Sequence, residues 1–390
     1  MKLSCPVVVY SLAASTLFLM LSPSPAGAQE TPVPSSIVAT AAAADWETAA
    51  SGSTQNWYDA VSVHGFVDGY YAWNDNAPRS HENFVSGAGS TAKRANEFAL
   101  NLGVVDIVRQ AKPIGFHVAL VLGDGADIIH AGEPPGAGVG RDAYRHLYQA
   151  SVLYKATERL TLEGGIFPSH IGYEGFYSKD NLNYTRSWLA EFSPYYQTGV
   201  KASYAFSDHW SGQLHLLNGW QIIGDNNDAK SVGTQIAYST DRLSASFNTF
   251  LGPELTNDNK HLRTFGDLVA SWKATPTMTV GVSVDRGRQA FPAHHEADWL
   301  GVACYGRIAL DPRHAVALRA ERFHDPDNGI SGTGQTLTEA TLTYEFRPAK
   351  NLILKVECRR DHSTSPVFSR GSDASSRHQS LGVLGAVATF

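Results

Sequence analysis

The sequence predicts an all-β protein, a transmembrane antiparallel β-barrel of sixteen strands with its third extracellular loop folded inward. Three observations predict it. From residue 57 to the last, apolar and polar residues alternate with period two, so each strand has an apolar and a polar face. Short turns and long loops alternate along the chain, an asymmetry that a soluble sandwich has no reason to keep and that outer-membrane barrels show. Aromatic residues gather at both ends of the apolar face around an aliphatic band, as amphipathic rings do at the two headgroup levels of a membrane.

Residues 1–28 read as a cleavable export signal: Lys2 supplies the positive start, Pro6 to Leu21 the apolar core and Ala26-Gly27-Ala28 the small-residue exit. The core is short for a spanning helix, and Cys5 precedes it, which argues against a lipoprotein. Residues 29–56 are rich in Pro, Ala, Ser and Thr without alternation and read as a flexible periplasmic extension. The barrel is expected over 57–390.

The expected strands are 61–73, 96–108, 114–124, 144–156, 159–167, 196–206, 209–222, 231–240, 242–252, 262–274, 277–287, 297–311, 313–324, 335–347, 351–362 and 377–390. Even strands are followed by short turns, such as Thr157-Glu158, Ser207-Asp208 and Thr275-Pro276. Odd strands are followed by longer loops, such as 74–95, 125–143, 168–195 and 288–296. Tyr154, Tyr204, Phe206, Trp210, Tyr238, Trp272, Tyr344, Phe346 and Phe390 fall at the short-turn ends of the apolar face. Tyr71, Trp73, Phe98, Tyr148 and Trp220 fall at the opposite ends. The chain finishes on a strand ending in Phe390, the form of an assembly signal for the barrel-inserting machinery.

Composition is consistent with this class. Only 17% of residues are charged, fewer than the roughly 25% of a soluble domain. A net charge of −6 without a basic block disfavours nucleic-acid binding. After signal removal only Cys304 and Cys358 remain, on non-neighbouring strands of the apolar face, and read as small hydrophobes rather than a disulfide.

The longest loop, Pro168 to Tyr195, carries Tyr173, Phe176, Tyr177, Tyr184, Trp188, Phe192 and Tyr195, too much apolar surface to lie spread in water. Folded inward it would narrow a pore. Glu174, Lys179, Asp180 and Arg186 are its candidate constriction residues, either facing the channel as an electrostatic sieve or tying the loop to the wall by salt bridges. Asn181 and Asn183 read as turn residues, and Arg186 to Phe192 as a helical turn or two capped by Ser187 or Thr185. Strand parity places Arg145, Lys155, Lys201, Arg263, Lys273, Arg307, Arg319 and Lys355 on the lumen wall. The same parity places Asp68, Glu97, Glu163, Asp267, Asp285, Glu321, Glu339, Glu345 and Glu357 there. The signs nearly cancel, so the wall alone announces no ion preference.

Other clusters carry less. His294-His295-Glu296 lies in an outward loop without the spacing of a zinc helix, and Gly87 to Lys93 misses the phosphate-loop spacing. No G-x-S-x-G elbow is present, and no cofactor or metal is called for.

Gly165-Ile166-Phe167, Ile171-Gly172-Tyr173-Glu174, Asn181, Asn183-Tyr184-Thr185-Arg186-Ser187 and Tyr196-Gln197-Thr198-Gly199-Val200 resemble the signature of the OmpL-like β-barrel porin family. The resemblance extends from about Trp57 to Phe390 and implies a bacterial outer-membrane channel, exported through the signal and surrounded by outer-membrane lipids. A sixteen-strand barrel leaves a water-filled lumen, so the expected function is passive diffusion of small hydrophilic solutes or ions. A homotrimer is a candidate assembly. The alternatives are a barrel that hydrolyses lipids or esters, and a structural or adhesive barrel without an open pore.

Overall fold

A computed structural model describes residues 57–134 and 140–390. The expected signal and the periplasmic extension lie outside the described residues. The described chain opens with a short 3-10 turn, Trp57–Ala60, and then forms strands in antiparallel sequence.

The barrel strands are β1 (Val61–Asn74), β2 (Phe98–Arg109), β3 (Ile114–Leu122), β4 (Leu147–Lys155), β5 (Leu160–Pro168) and β6 (Tyr196–Ala205). They continue as β7 (Trp210–Leu217), β8 (Ser231–Ser239), β9 (Leu243–Pro253), β10 (Leu262–Lys273) and β11 (Met278–Phe291). The last are β12 (His295–Ala309), β13 (His314–Asp325), β14 (Gln335–Ala349), β15 (Leu352–Ser363) and β18 (His378–Thr389). Each pairs with its neighbours in chain order, and β1 closes on β18 from Phe66↔Thr389 to Asn74↔Leu381. A small hairpin, β16 (Phe368–Arg370) with β17 (Ala374–Ser376), stands apart in the last long loop. The barrel therefore has sixteen strands, the number that the alternation predicts.

Two boundaries differ from expectation for visible reasons. β7 stops at Leu217 because the chain turns in to place Trp220 against Phe250 and Phe265, with ring centroids 5.0 and 4.9 Å away. β11 and β12 run through most of the expected loop 288–296, because Arg288 and Asp298 face each other across the ladder and pair at 2.8 Å.

The two faces separate as the period requires. Leu214, Leu318, Leu342, Val356 and Leu384 each expose half or more of their surface, while Arg319, Lys355 and Glu357 on two of the same strands are buried. Among the aromatics expected outside, Tyr148 and Trp220 instead point in. Tyr148 occupies a bulge, where Ala119 pairs with Gln149 but Leu120 with Leu147, and the extra residue reverses its side. Its ring then packs 4.9 Å from Phe176.

Candidate functional site: the inward loop and its anchors

Between β5 and β6, residues 169–195 pack against inward-facing side chains of the wall, most of them buried and none exposed. A loop in this position must satisfy its backbone without a sheet to join. The wall supplies carboxylates that accept from its N–H groups. Asp267 Oδ2 takes Gly172 N at 2.7 Å; Glu357 takes Tyr184 N at 2.6 Å and Thr185 N at 3.0 Å; Glu321 takes Trp188 N at 2.6 Å. Cations do the same for its carbonyls. Lys355 Nζ donates to Ser178 O at 3.0 Å and Asn181 O at 2.6 Å, and Arg319 donates to Thr185 O at 2.5 Å.

Side chains complete the seating. Asp68 accepts from Ser178 Oγ at 2.6 Å, Tyr184 OH at 2.7 Å and Asn101 Nδ2 at 2.7 Å. Asp361 accepts from Trp188 Nε1 at 2.9 Å, Asp285 from Ser193 Oγ at 3.1 Å, and Asn183 donates to Thr343 at 2.7 Å. Asn181 pairs with both the N–H and the C=O of Gly175. Trp188–Glu191 form one helical turn with Ser187 as cap, its hydroxyl accepting from Ala190 N at 3.1 Å. Two rings lie where the wall has no side chain: a Cβ at Gly281 would come within 2.4 Å of the Tyr173 hydroxyl, and one at Gly385 within 2.4 Å of the Tyr184 ring.

Of the four constriction candidates, two are inside this web. Glu174 is buried, 2.7 Å from Arg319 and 2.8 Å from Ser187 N. Burial opposes its charge, yet Arg319, with the Ser187 hydroxyl and N–H, holds its carboxyl below the usual range. Arg186 is fully buried, donating to Gly175 O at 2.8 Å and lying over the Phe176 and Tyr195 rings. Neither side chain meets water. Lys179 and Asp180 do: they pair at 2.8 Å with side chains 26% and 28% exposed.

The wall residues divide likewise. Asp267, Arg319, Glu321, Glu339 and Lys355 are buried under the loop. Lys201 pairs with Glu163 at 2.9 Å, Arg307 with Glu345 at 3.1 Å, and Lys155 with Glu158 of the adjoining turn at 2.8 Å. Arg263 lies between the Trp220 and Trp299 rings. Arg145 and Glu97 stand off the wall. β4 starts at Leu147, which leaves Arg145 in the preceding loop 3.6 Å from Asp127, and Glu97 precedes β2 and pairs with Arg94 at 2.5 Å. Strand parity misplaces both because alternation continues past the last ladder bond.

Sequence reading missed a second inward segment. In the first long loop, Phe84, Ala88, Ser90, Thr91 and Ala92 are buried, and Gly89 N (2.9 Å) and Ser90 N (3.1 Å) donate to the Glu191 carboxylate. The glycine-rich stretch that fails as a phosphate loop thus binds an anion of its own chain with the same kind of backbone donors. Its small buried residues resemble a flexible outward loop in composition, so only the run without charge from Phe84 to Thr91 could have hinted at it.

Residues 60–390 match the family described as putative beta-barrel porin-2, OmpL-like. The chain belongs to this porin family. Comparison with curated proteins finds no match. Among solved structures, the anion-selective porin from Comamonas acidovorans is similar over 85% of this chain and 99% of its own, with TM-score 0.56 and 10% identity. The outer-membrane channel DcaP of Acinetobacter baumannii covers 85% and 97%, with TM-score 0.56 and 13% identity. The trimer form of OmpT, an outer-membrane protein of Vibrio cholerae, covers 85% and 99%, with TM-score 0.53 and 12% identity. At such identities the shared property is the barrel. In this porin the residues Ile171 to Ser187, one part of the stretch that carries the family resemblance, include backbone groups that the wall carboxylates and cations hold.

Proposed function

We propose that this porin passes small hydrophilic solutes and ions by diffusion, and that residues 168–195 set the width of the path. The observation that carries the reading is the division of inward charges. One group is buried as anchors for the loop. The other borders water: Lys179 with Asp180, Arg347 over Glu345, and Lys155, while Lys201 with Glu163 and Arg307 with Glu345 are nearly buried pairs between the two groups. In this reading Glu174 and Arg186 shape the constriction from beneath, and Lys179 and Asp180 are the loop charges that a solute passes. No cofactor takes part, since a concentration gradient drives the flow.

Conductance of the refolded protein in a planar bilayer tests this. Stepwise ohmic openings are expected. Deleting residues 171–188 should enlarge the step, because the wall charges it uncovers would then be hydrated rather than stranded. Silence from protein shown to be folded and inserted would overturn the reading in favour of a sealed structural barrel, and turnover of lipid or ester substrates would favour a hydrolase. Export by the 1–28 signal, a homotrimer and recognition of Phe390 by the assembly machinery belong to the same proposal. Phe390 is 71% exposed at the end of the closing strand, and its removal should lower the inserted fraction in cells.

A further inference from the structure

The outer face of this barrel is electrically lopsided. From β3 to β10, no outward position carries a charge: Leu122, Val200, Leu216, Val232, Leu251 and Leu262 keep it apolar up to the long-loop end. From β11 to β18 the same end carries Arg286, Arg288, Arg322 and Arg360, with His324, His362 and His378 beside them.

Register and strand tilt together give their height. Trp73 lies in the outward row that runs through Gly382, Cys358, Leu342 and Leu318. The next row toward the long loops holds Ser380, Arg360, Ala340 and Ala320, and the row beyond holds His378, His362, Thr338 and Arg322. Successive outward rows are about 7 Å apart along a strand. Strands of such a barrel tilt by about 35–45°, so a row shifts in height by about 3 Å per strand, and the row of Trp73 descends to Trp272 at the short-turn end. Arg360, one row up and two strands along, and Arg322, two rows up and four strands along, therefore stand near the height of Trp73, the headgroup level that an exposed indole favours. Arg286, facing Leu300, shares the following row with His324.

Their pairing is uneven. Arg288 is occupied, with Asp298 at 2.8 Å and Glu296 at 2.7 Å. Arg360 is half committed, reaching Ser380 Oγ and lying 3.5 Å from Asp75 while remaining 52% exposed. Arg286 and Arg322 are exposed, with no hydrogen bond or ion pair to any described residue. Directly below them the strands present Val284, Val302, Leu318, Leu342 and Val356 to the hydrocarbon. An unpaired guanidinium above an apolar wall suits an amphiphile whose anionic head can take the planar fork while its chains follow the wall.

We propose that this face of β11 to β18 is a docking site for the phosphate groups of a phosphorylated glycolipid of the outer leaflet, held by Arg286, Arg322 and Arg360. The proposal rests on the outer-membrane placement but not on an open pore.

Native mass spectrometry of the refolded protein, titrated in mixed micelles with bis-phosphorylated lipid A, tests it. The folded state is verified by heat-modifiable migration. The expected result is a retained glycolipid, weakened about tenfold or more in R286Q/R322Q/R360Q and restored toward wild type by the corresponding lysines. L214Q/L251Q, on the charge-free half, should bind as wild type does. Equal retention of dephosphorylated lipid A, or a triple glutamine variant that binds unchanged, would overturn the proposal. So would competition by millimolar inorganic phosphate as strong as by the glycolipid, or equal retention of phosphatidylglycerol. Because the readout is lipid retention, a channel that fails to conduct leaves this test intact.

Discussion

Arg319 shows how much one side chain of this wall is asked to do. It is fully buried, 2.6 Å from Glu339 and 2.7 Å from Glu174, and it also satisfies the Thr185 carbonyl. Two charges of one sign beside one of the other are held in a dry place only while the geometry lasts. Arg319→Ala would leave Glu174 and Glu339 without their main counter-charge and should lower stability by about 3–5 kcal/mol. Lysine should recover only part, since it lacks the planar fork that reaches both carboxylates. Urea unfolding in detergent checks this, and a loss under about 1 kcal/mol would show that the wall rehydrates freely. Strand parity alone put Arg319, Glu321, Glu339 and Lys355 on the inside. Which backbone atoms they hold was not legible, because those partners lie in a loop without periodicity.

The inward loop is the element whose attachment should respond to pH. His170 stacks on His215 with ring centroids 4.1 Å apart, and its two ring nitrogens meet Gln197 Oε1 and the Thr249 carbonyl at 3.0 Å each. Gln197 Nε2 has no partner, so turning that amide gives His170 Nδ1 a donor and leaves a neutral ring bonded at both nitrogens. Burial lowers its pKa from 6.5 to about 4, the bond to the Thr249 carbonyl opposes this, and Lys201 acts in the same direction as burial. A depressed value means that the docked loop prefers the neutral ring. Its contribution is therefore complete above pH 6.5 and lost as pH falls through about 4, a change of about 3 kcal/mol. Amide exchange across residues 170–187 should accelerate in that window, and His170→Asn should flatten the response. Equal acceleration in the variant would assign it elsewhere. Aromatic content was enough to expect this loop to fold against something. The companion segment at 84–92 was not foreseen, because glycine, alanine and serine look alike whether they fill a crevice or line a surface.

At the scale of the whole molecule, the membrane decides what the outer face can tolerate. Leu342 is 52% exposed in the aliphatic band, and Leu342→Arg should destabilise the inserted barrel by about 2–4 kcal/mol, against little change for Leu342→Val. Chemical unfolding from liposomes measures the difference; equal stability of the two would place Leu342 outside the hydrocarbon. The sequence by itself determined the sixteen strands, their order, the end that carries the long loops and, apart from Tyr148, Trp220, Arg145 and Glu97, the facing of the residues it singled out. It could do so because period two and turn chemistry are local properties, each readable within a few residues. Only the tertiary structure decided which inward charges meet water and which are used up in holding residues 169–195. Those bonds join positions up to 177 residues apart, as between Lys355 and Ser178. Pairings at that separation depend on how the sheet closes, and no local pattern records it.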